Sequence, residues 1–303
     1  MLARIKNSFA NPAVMTQPLI SIITPAYRAE KTIKRAVESA LQQSLPDWEM
    51  VIVSDDQQNY GQILFDQNIE DKRLRFFSTD RIGSGSSIAR NKALSLAKGQ
   101  YIACLDADDE LKPNKLSLML PLAQKYGAAV SDIEFRDNDS YSLLEQYNKM
   151  PSREFASAEE IIPACIQAYS IYLYDRSRIA DLYYDSELLR GQDLVYLMSF
   201  FNAIDCIGIT QDKLHTYYRC QGSAFNSADT HQKSHQSKLK IKDKLDRGQL
   251  SIKNEAAQQA LRKYMKFSLE IDQLYDNEVL HDPEVEWINI FKSNLQERLF
   301  SSL

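Results

Sequence analysis

Short apolar segments alternate with helical ones through the first third of the chain, and this alternation constrains the fold more than any other feature. The predicted strands are 19–24, 49–54, 73–78 and 100–105, and the predicted helices between them are 28–42 and 88–98. Most of the strand segments are continuously apolar, which is typical of strands buried on both faces. Because the links are short, we expect an α/β domain with a mostly parallel sheet flanked by helices.

The composition excludes several other classes of protein. Of the 303 residues, 44% are apolar and 25% are charged, as in ordinary globular proteins. The net charge of -5, from 36 basic and 41 acidic residues, disfavours a chain whose main task is to bind nucleic acid, so we expect no nucleic-acid partner. The longest uncharged apolar run, residues 18–27, is far shorter than the roughly 20 residues that cross a bilayer.

The cysteines and the two ends of the chain bear on its location. The four cysteines form no Cys-x-x-Cys pair and lack zinc-finger spacing, so we expect reduced thiols in a cytoplasmic protein. Residues 1–17 lack the apolar core of a signal peptide, and we expect a disordered leader there. The basic stretch 233–247 favours either peripheral contact with the inner face of a membrane or a solvated helical face.

Polar residues follow the predicted strands at the point where each strand ends. Tyr27 follows the first strand, Asp55 and Asp56 follow the second, and Asp106-Ala107-Asp108-Asp109 follows the last. Ligands of open parallel sheets bind beyond these carboxyl ends. Clustered carboxylates repel one another unless a cation or solvent relieves them, and Mg²⁺ or Mn²⁺ prefers one or two carboxylates with phosphate oxygens. The cluster indicates a metal–nucleotide site, with turn and helix-capping roles as the alternative.

Two further sequence patterns compete with this assignment. Asp137-Asn138-Asp139 repeats the acidic spacing but has no predicted strand before it, so we interpret it as a solvated loop. The loop 83–87 is rich in glycine and serine and precedes a helix, whose amides could bind an anion. Its distance from Asp106 also matches a dinucleotide fingerprint, although Ile88 occupies the third glycine position. A dinucleotide-dependent oxidoreductase is therefore an alternative function.

The second half of the chain has a looser pattern. Helices are predicted at 155–169 and 188–201 and strands at 170–174 and 214–220, before a mainly helical region at 231–303. We expect a polar loop at 137–147, and we expect the C-terminal helices to dock on the sheet domain, on a second subunit or on a membrane. The sequence fixes no oligomeric state.

A few side chains in this half are candidates for function. Asp193 enters an apolar helix, which suits either a general base or a helix cap. The planar guanidinium of Arg219 is suited to binding phosphate. The tyrosines before it could either stack on a ligand or belong to the core. His231 and His235 lie four residues apart without an acidic neighbour in sequence, so we predict that both lie on the surface.

Taken in order, these segments resemble the family 2 glycosyltransferases of GT-A fold. The matching segments are SIITPAY at 21–27, WEMVIVSDD at 48–56, ARN at 89–91, GQYIACLDADD at 99–109, QD at 192–193 and YR at 218–219. The match is dense over 18–112, thin over 113–225 and absent over 231–303. Any one motif is unspecific, but their order and spacing together are distinctive.

The resemblance implies a Rossmann-like fold and the inverting transfer of a sugar from a nucleotide-diphosphate sugar to a hydroxyl of a glycan or lipid-linked glycan acceptor. A UDP-sugar is the donor expected from the family. The implied domains are a leader at 1–17, a glycosyltransferase domain at 18–230 and a helical region at 231–303. Within the domain, 18–112 would form the nucleotide-sugar half and 113–230 the acceptor half.

The resemblance also implies roles for individual residues. The first nucleotide-contacting loop matches Thr24, Pro25, Ala26 and Tyr27. Asp55 or Asp56 resembles the carboxylate that receives a base N–H, and Arg90 is expected near the nucleotide or in a structural role. Asp106 is similar to the residue near the ribose, Asp108 to the residue that holds Mg²⁺ or Mn²⁺, and Asp193 to the aspartate that deprotonates the acceptor.

Three segments depart from the family pattern. Gln57-Gln58 stands where Gly-Ser is usual, and Gln192 stands where glutamate is usual. Gln221 replaces a metal-binding histidine that some members carry, for which His215 is a weak substitute. These changes keep a catalytically silent nucleotide-sugar-binding protein as a second alternative.

Overall fold

A computed structural model describes residues 17–144, 148–165, 168–219 and 230–281, together with 290 and 294. The strands of the described chain are β1 Ile20–Ala26, β2 Trp48–Ser54, β3 Leu74–Ser78, β4 Tyr101–Cys104, β5 Glu110–Leu111, β6 Ala128–Asp137, β7 Phe155–Ala156, β8 Tyr172–Asp175 and β9 Ile207–Arg219. The α-helices are α1 Ile33–Leu41, α2 Tyr60–Phe65, α3 Ser86–Leu96, α4 Lys115–Tyr126, α5 Ala158–Ala164, α6 Gln192–Ser199, α7 Thr230–Asp246 and α8 Glu255–His281. One 3-10 helix, Phe200–Asn202, follows α6.

All nine strands belong to one sheet with the order β3-β2-β1-β4-β8-β6-β9-β5, and β7 pairs with β9. The first four strands are parallel, as predicted. Beyond β4 the sheet is mixed, because β8 runs antiparallel to both β4 and β6 whereas β6 and β9 are parallel. The α/β fold is confirmed, with its parallel part confined to the first half.

The strand order creates a natural ligand crevice. From β1 the chain moves outward to β2 and β3, and it then returns to place β4 on the other side of β1. The connections diverge between β1 and β4, and such a switch point is where open α/β sheets bind ligands. The polar residues that follow β1, β2 and β4 therefore lie beside one another.

The central strands are buried because helices cover both faces of the sheet. Ile22 of β1 packs in a core with Val37 of α1, whereas the next residue, Ile23, packs in a separate core with Ala89 of α3 and Val195 of α6. Successive side chains of a strand point to opposite faces, so both must be apolar when both faces are covered. This arrangement explains the continuous apolar runs in the sequence.

Two predicted helices of the second half are shorter than expected. Over 155–169 the chain forms β7 and then α5, because Ser157 begins the helix with a capping box: its hydroxyl accepts from the Glu160 amide, and the Glu160 carboxylate accepts from the Ser157 amide. The helix predicted over 188–201 begins only at Gln192, since Gly191 before it has a φ of +73°. At both places the residue before the helix sets where it begins, although the apolar periodicity extends further toward the N-terminus.

The C-terminal helices pack against the sheet domain of their own chain. Ile241 of α7 and Leu261 and Met265 of α8 belong to the same core as Val195 of α6. Of the three docking sites that the sequence left open, the structure therefore shows contact with the domain. In the described part of the chain, no helix has the length and apolar character needed to span a membrane.

The basic side chains of α7 pair with groups of the same chain. The pairs are Lys238–Asp272, Lys240–Glu187, Lys242–Asp246, Lys244–Asp185 and Arg247–Asp243. One of these pairs joins α7 to α8, one lies within α7, one joins α7 to Arg247 directly after it, and two reach the loop before α6. Lys238, Lys240 and Lys244 thus connect the helix to other parts of the chain, whereas Lys242 and Arg247 pair along its exposed face.

The two histidines of α7 have an acidic partner after all. His235 Nδ1 lies 2.9 Å from Asp272 Oδ2, and His231 Nε2 lies 3.6 Å from Asp272 Oδ1. Asp272 belongs to α8 and is fully buried. The sequence did not reveal this partner, which lies more than 35 residues away. The predicted surface position holds in part, since the His231 and His235 side chains are 19% and 32% exposed.

Several predictions concern residues outside the described chain. The expected leader lies there up to residue 16, as do Cys220, Gln221 and most of 282–303. Among the described cysteines, Cys104, Cys165 and Cys206 are free thiols, as expected.

Candidate active site

The end of β1 presents one exposed aromatic ring to the crevice. Thr24 and Ala26 are fully buried within the strand, and Pro25 lies between them. Tyr27 directly after them is 45% exposed, and the Arg28 guanidinium lies 5.1 Å from its ring centre. Among the described residues, the hydroxyl of Thr24 has no hydrogen-bond partner. Tyr27 can therefore stack on a ligand, while the three strand residues shape the wall behind it.

Asp55 is the anion at the N-terminus of α3. Its carboxylate is 4% exposed and accepts hydrogen bonds from Thr79 Oγ1 (2.7 Å), Ser84 N (3.0 Å) and Gly85 N (2.8 Å). Gly85 precedes α3 with a φ of +101°, a conformation that glycine adopts readily. The glycine-serine loop thus binds an anion, as the sequence suggested, but the anion belongs to the protein. The dinucleotide alternative loses the phosphate site that it required.

Asp56 holds the turn that follows β2. Burial alone would raise the pKa of this carboxyl, but hydrogen bonds from the amides of Arg28 and Gln58 and from the Tyr60 hydroxyl lower it below its ordinary value. Gln57 between them has a φ of +62°, which glycine would adopt without strain. The departure at Gln57-Gln58 therefore keeps a tight turn despite the larger side chains.

The last aspartate of the acidic cluster belongs to the core. Asp109 is 1% exposed and accepts a hydrogen bond from the Tyr218 amide (3.1 Å), and its Oδ2 lies 3.1 Å from His215 Nε2. The other ring nitrogen of His215 lies 2.9 Å from the buried Nζ of Lys115. Both nitrogens of His215 are thus engaged, and it contacts Asp109 rather than Asp108. The sequence carried no signal that Lys115 would be buried here.

Asp108 is the open carboxylate of the cluster. Burial, reinforced by the nearby charge of Asp106, raises the pKa of Asp108 to about 6. Among the described residues no ion pair reaches its carboxylate, although Arg35 donates to its backbone carbonyl and to Asn138 Oδ1. The expectation that no strand precedes 137–139 was wrong, because β6 ends at Asp137. Asp139 is exposed in the turn that follows, as predicted, whereas the half-buried Asn138 accepts a hydrogen bond from Arg35.

The two adjacent tyrosines of β9 divide their roles. Tyr217 packs against Phe135, with ring centres 5.3 Å apart. Tyr218 carries the Arg35 guanidinium 3.6 Å above its ring and donates from its hydroxyl to Glu110 Oε2. Arg219 ends the strand. The prediction that the tyrosines belong to the core therefore holds for Tyr217. Tyr218 instead contacts Arg35 and Glu110 beside the acidic loop.

Arg90 connects two carboxylates that are far apart in sequence. Its side chain is 4% exposed, and its two terminal nitrogens lie 2.6 Å from Asp106 Oδ1 and 3.0 Å from Asp193 Oδ1. Burial raises the pKa of Asp193, Arg90 lowers it and Asp106 raises it, and the balance lies above the ordinary value. The sequence placed Arg90 near the nucleotide or in a structural role; the bridge between Asp106 and Asp193 was missed.

Asp193 stands in the first turn of α6 with 26% of its side chain exposed. Its neighbour Gln192 is 8% exposed, and Gln192 Nε2 lies 3.4 Å from the Ser86 hydroxyl, whereas Gln192 Oε1 has no hydrogen-bond partner among the described residues. The residue that departs from the family pattern thus packs between α6 and α3. Asp193 itself faces the crevice beside Asp106.

The described side chains provide too few ligands to hold a divalent cation alone, so a bound ligand must supply the others. No group of three or more His, Cys, Asp or Glu in the described part of the chain is arranged to hold a metal ion. The carboxylate of Asp108 is a hard oxygen donor that forms no ion pair with the described residues, although the charges of Arg35 and Arg90 lower its pKa. Mg²⁺ usually takes one or two carboxylates together with substrate phosphates and water. The residues therefore fit a metal that arrives with a diphosphate.

Comparison with known proteins points to one family. The model of glycosyl transferase family 2 matches residues 21–177, just over half of the chain. A putative teichuronic acid biosynthesis glycosyltransferase, TuaG of Bacillus subtilis, is 37% identical over 145 residues, which is 48% of this chain and 54% of TuaG. The succinoglycan biosynthesis protein ExoO of Rhizobium meliloti is 30% identical over 213 residues, 65% of this chain and 59% of ExoO. The chain spans about half the length of such curated relatives.

Solved structures share the fold. TarS 1-349 of S. aureus in complex with UDP superimposes with a TM-score of 0.61 at 19% identity, covering 82% of this chain and 70% of that one. The same protein in complex with UDP-GlcNAc gives a TM-score of 0.62 at 17% identity and covers 92% and 82%. At such identities the likeness concerns the arrangement of helices and strands.

Proposed function

Because the chain belongs to glycosyl transferase family 2, we propose that it transfers a sugar, with inversion, from a nucleotide-diphosphate sugar to a hydroxyl of a glycan or lipid-linked glycan during polysaccharide biosynthesis. The single observation that carries this proposal is the Arg90 bridge. It brings Asp106, on the donor side of the crevice, next to Asp193, on the acceptor side.

The donor half supplies the nucleotide contacts of the proposal. Tyr27 offers an exposed ring for the base, and Asp56, which is less buried than Asp55, would receive a base N–H. Asp106 stands at the end of β4, where a ribose would lie over the switch point. A UDP-sugar is the proposed donor, supported by the fold shared with TarS, which was solved with UDP and with UDP-GlcNAc.

The acceptor half supplies the proposed base. Arg90 binds Asp193 Oδ1, which leaves Oδ2 to accept the proton of the acceptor hydroxyl. A raised pKa strengthens Asp193 as a proton acceptor, and the positive charge of Arg90 holds it ionised enough to act. Once the proton is on Oδ2, the acceptor oxygen attacks the face of the sugar opposite the leaving diphosphate, which inverts the anomeric centre.

We assign Mg²⁺ or Mn²⁺ to Asp108, whose carboxylate is free of ion pairs with the described residues. When bound, such a cation supplies positive charge to the departing nucleoside diphosphate. The remaining ligands would come from the phosphates and water, with Asp106 close by. His215 is already engaged with Asp109 and Lys115, and we propose that it orients Asp109 instead of binding metal.

The first test measures ligand binding through thermal stability. With Mn²⁺ present, UDP, GDP, dTDP, CMP and NADH are compared, and we expect a shift with one nucleoside diphosphate that disappears with EDTA. A ligand at 100 times its dissociation constant adds about 2.7 kcal/mol of stability. A shift with NADH alone would instead support the oxidoreductase.

The second test separates transfer from binding. We expect Asp193→Asn to keep donor binding and to lose transfer by roughly 10²–10⁴-fold, because the general base is gone. Asp243→Asn is the matched control, since Asp243 pairs with Arg247 on the exposed face of α7. Transfer by Asp193→Asn at the parental rate would remove the base assignment. Donor binding with neither transfer nor donor hydrolysis in the parental protein would favour the silent binding protein.

A further inference from the structure

The loop that leads into α6 is fastened to α7 by charge. We call residues 185–191 the base loop, because the proposed base lies just beyond it. Lys244 Nζ lies 2.5 Å from Asp185 Oδ2 and 3.0 Å from Glu187 Oε2, and Lys240 Nζ donates to the Glu187 carbonyl at 2.9 Å. The Lys244 and Asp185 side chains are only 13% and 20% exposed, so this pair is partly sheltered from water and salt, whereas the Glu187 side chain is 64% exposed.

Apolar contacts fasten the end of the same loop. Gly191 has a φ of +73°, and a Cβ built on it would lie 2.7 Å from Ile241 Cδ1 of α7. Leu188 is 3% exposed and belongs to the core that contains Ile241 and Leu245. Glycine is favoured at position 191, because a side chain there would meet the unfavourable φ and would displace the end of the Ile241 side chain. An α7 side chain thus abuts the backbone two residues before Asp193.

Helix α7 is itself fixed. Lys238 Nζ donates to Asp272 Oδ1 at 2.6 Å and to the Ser268 carbonyl at 3.2 Å, and Asp272 is fully buried in α8. Helix α8 also packs against α5 and α6. The base loop therefore rests on a support that is anchored in the core.

The other side of the base loop is held by α3. Asn91 Nδ2 donates to the Tyr184 carbonyl at 2.9 Å, and the Tyr184 amide donates to Asn91 Oδ1 at 2.8 Å. Arg90, one residue earlier, binds Asp193. The segment from Tyr184 to Asp193 is thus clamped between α3 on one side and α7 on the other.

We propose that α7 is a positioning element of the active site, in which Lys244, Lys240 and Ile241 hold the base loop so that Asp193 meets the acceptor hydroxyl. The proposal rests on the proposed role of Asp193 as the base. The family model ends at residue 177, before the base loop and α7. The helical region that the sequence left without a role is therefore part of the catalytic unit, although it touches no reacting atom.

The kinetic test compares three variants of the full chain. Lys244→Met removes the charge that holds Asp185 and Glu187, and Lys244→Arg keeps it. Lys242→Met is the control, because Lys242 pairs with Asp246 on the exposed face of the same helix. A displacement of about 1 Å at a reacting group can cost 10²-fold in rate, so we expect Lys244→Met to lose about 10- to 100-fold in kcat. Donor KM should stay parental, and Lys244→Arg should recover most of kcat.

A second measurement needs neither donor nor acceptor. Amide hydrogen exchange should accelerate over residues 183–195 in Lys244→Met and stay parental in Lys242→Met, because local opening follows the loss of local contacts. Lys240→Met, which removes a hydrogen bond and an exposed ion pair to Glu187, should show a smaller acceleration in the same segment. If Lys244→Met destabilises the whole chain enough to obscure the result, Lys240→Met decides.

The outcomes separate this inference from the proposed function. Parental kcat or parental exchange in Lys244→Met would overturn the positioning role while leaving Asp193 as the base. Equal loss of donor affinity and kcat would also overturn it, because a general structural role predicts that pattern. If Asp193→Asn transfers sugar at the parental rate, the proposed role of Asp193 as the base fails. Amide hydrogen exchange in Lys244→Met then still shows whether α7 holds the loop.

Discussion

Replacing Arg90 with methionine tests the centre of the site. The guanidinium is buried between Asp106 and Asp193, at 2.6 and 3.0 Å from their carboxylate oxygens. Methionine is flexible and has a similar length, so the change removes the charge and creates little empty space. Two carboxylates then face each other without a counter-charge.

The expected destabilisation follows from this burial. Removing one partner of a buried ion pair typically costs 3–5 kcal/mol, because a buried charge is left uncompensated. The Asp106 and Asp193 side chains are 25% and 26% exposed, so water relieves part of the penalty. We expect a loss near the lower limit, about 3 kcal/mol. For a chain of this size the melting temperature should fall by roughly 5–10 °C.

The pH dependence of the loss has a definite sign. The pKa of Asp193 is already above its ordinary value in the parental protein, and losing Arg90 raises it further. The folded state then binds a proton more tightly than the unfolded state, so stability falls as pH rises from about 4 through the raised pKa. The deficit of Arg90→Met should therefore be small at pH 4–5 and complete at pH 8.

Urea unfolding of Arg90→Met at pH 5 and pH 8 measures both effects. Arg153→Met is the control, since the Arg153 side chain is 47% exposed and its pair with Glu160 should contribute about 0–1 kcal/mol. The double variant Arg90→Met/Asp193→Asn should recover stability at pH 8, because one of the opposed charges is gone. A deficit that is independent of pH and is not relieved in the double variant would refute the electrostatic reasoning.

Two other substitutions test the donor side. Asp108→Ala should abolish the Mn²⁺-dependent part of UDP affinity and leave the metal-free part unchanged, and titration calorimetry that finds the metal dependence intact would reject Asp108 as the ligand. Gly85→Ala should cost roughly 1–3 kcal/mol from backbone strain alone, because a Cβ there meets nothing within 4 Å but the φ is +101°. Gly248→Ala, at a φ of +64° and equally open, should cost about 1 kcal/mol, so a larger loss there would contradict the ranking.

The first half of the fold was predictable because its signals are local. Strands β1, β2 and β4 are covered on both faces, which forces a continuous apolar run that can be identified without a partner strand. In the second half, β8 and β6 pair antiparallel, and the Ser157 capping box ends one element and begins the next within a few residues. The periodic spacing of apolar residues does not resolve such short elements, so the lengths of the predicted helices were overestimated.

The candidate site divides in the same way. Aspartates at strand ends are visible in the sequence, because parallel strands bring their carboxyl ends together. The bridge through Arg90 is not visible, since Asp193 is 103 residues away and only the tertiary fold brings them into contact. Two other contacts were missed for the same reason: Asp272 with the α7 histidines, and Asn138 with Arg35. Residues so far apart in sequence leave no periodic pattern that predicts their contact.

The charges around the crevice imply what a ligand must supply. Asp55 is bound by the amides at the N-terminus of α3, Asp109 is bound by the Tyr218 amide, and Arg90 bridges Asp106 and Asp193 and balances one of their two charges. Asp108 has no ion pair within the described chain, and its pKa of about 6 reflects the cost of burying that charge. A cation at Asp108 would remove this cost, and the diphosphate that accompanies it would balance the added charge. Metal and donor should therefore bind cooperatively, each with higher affinity when the other is present.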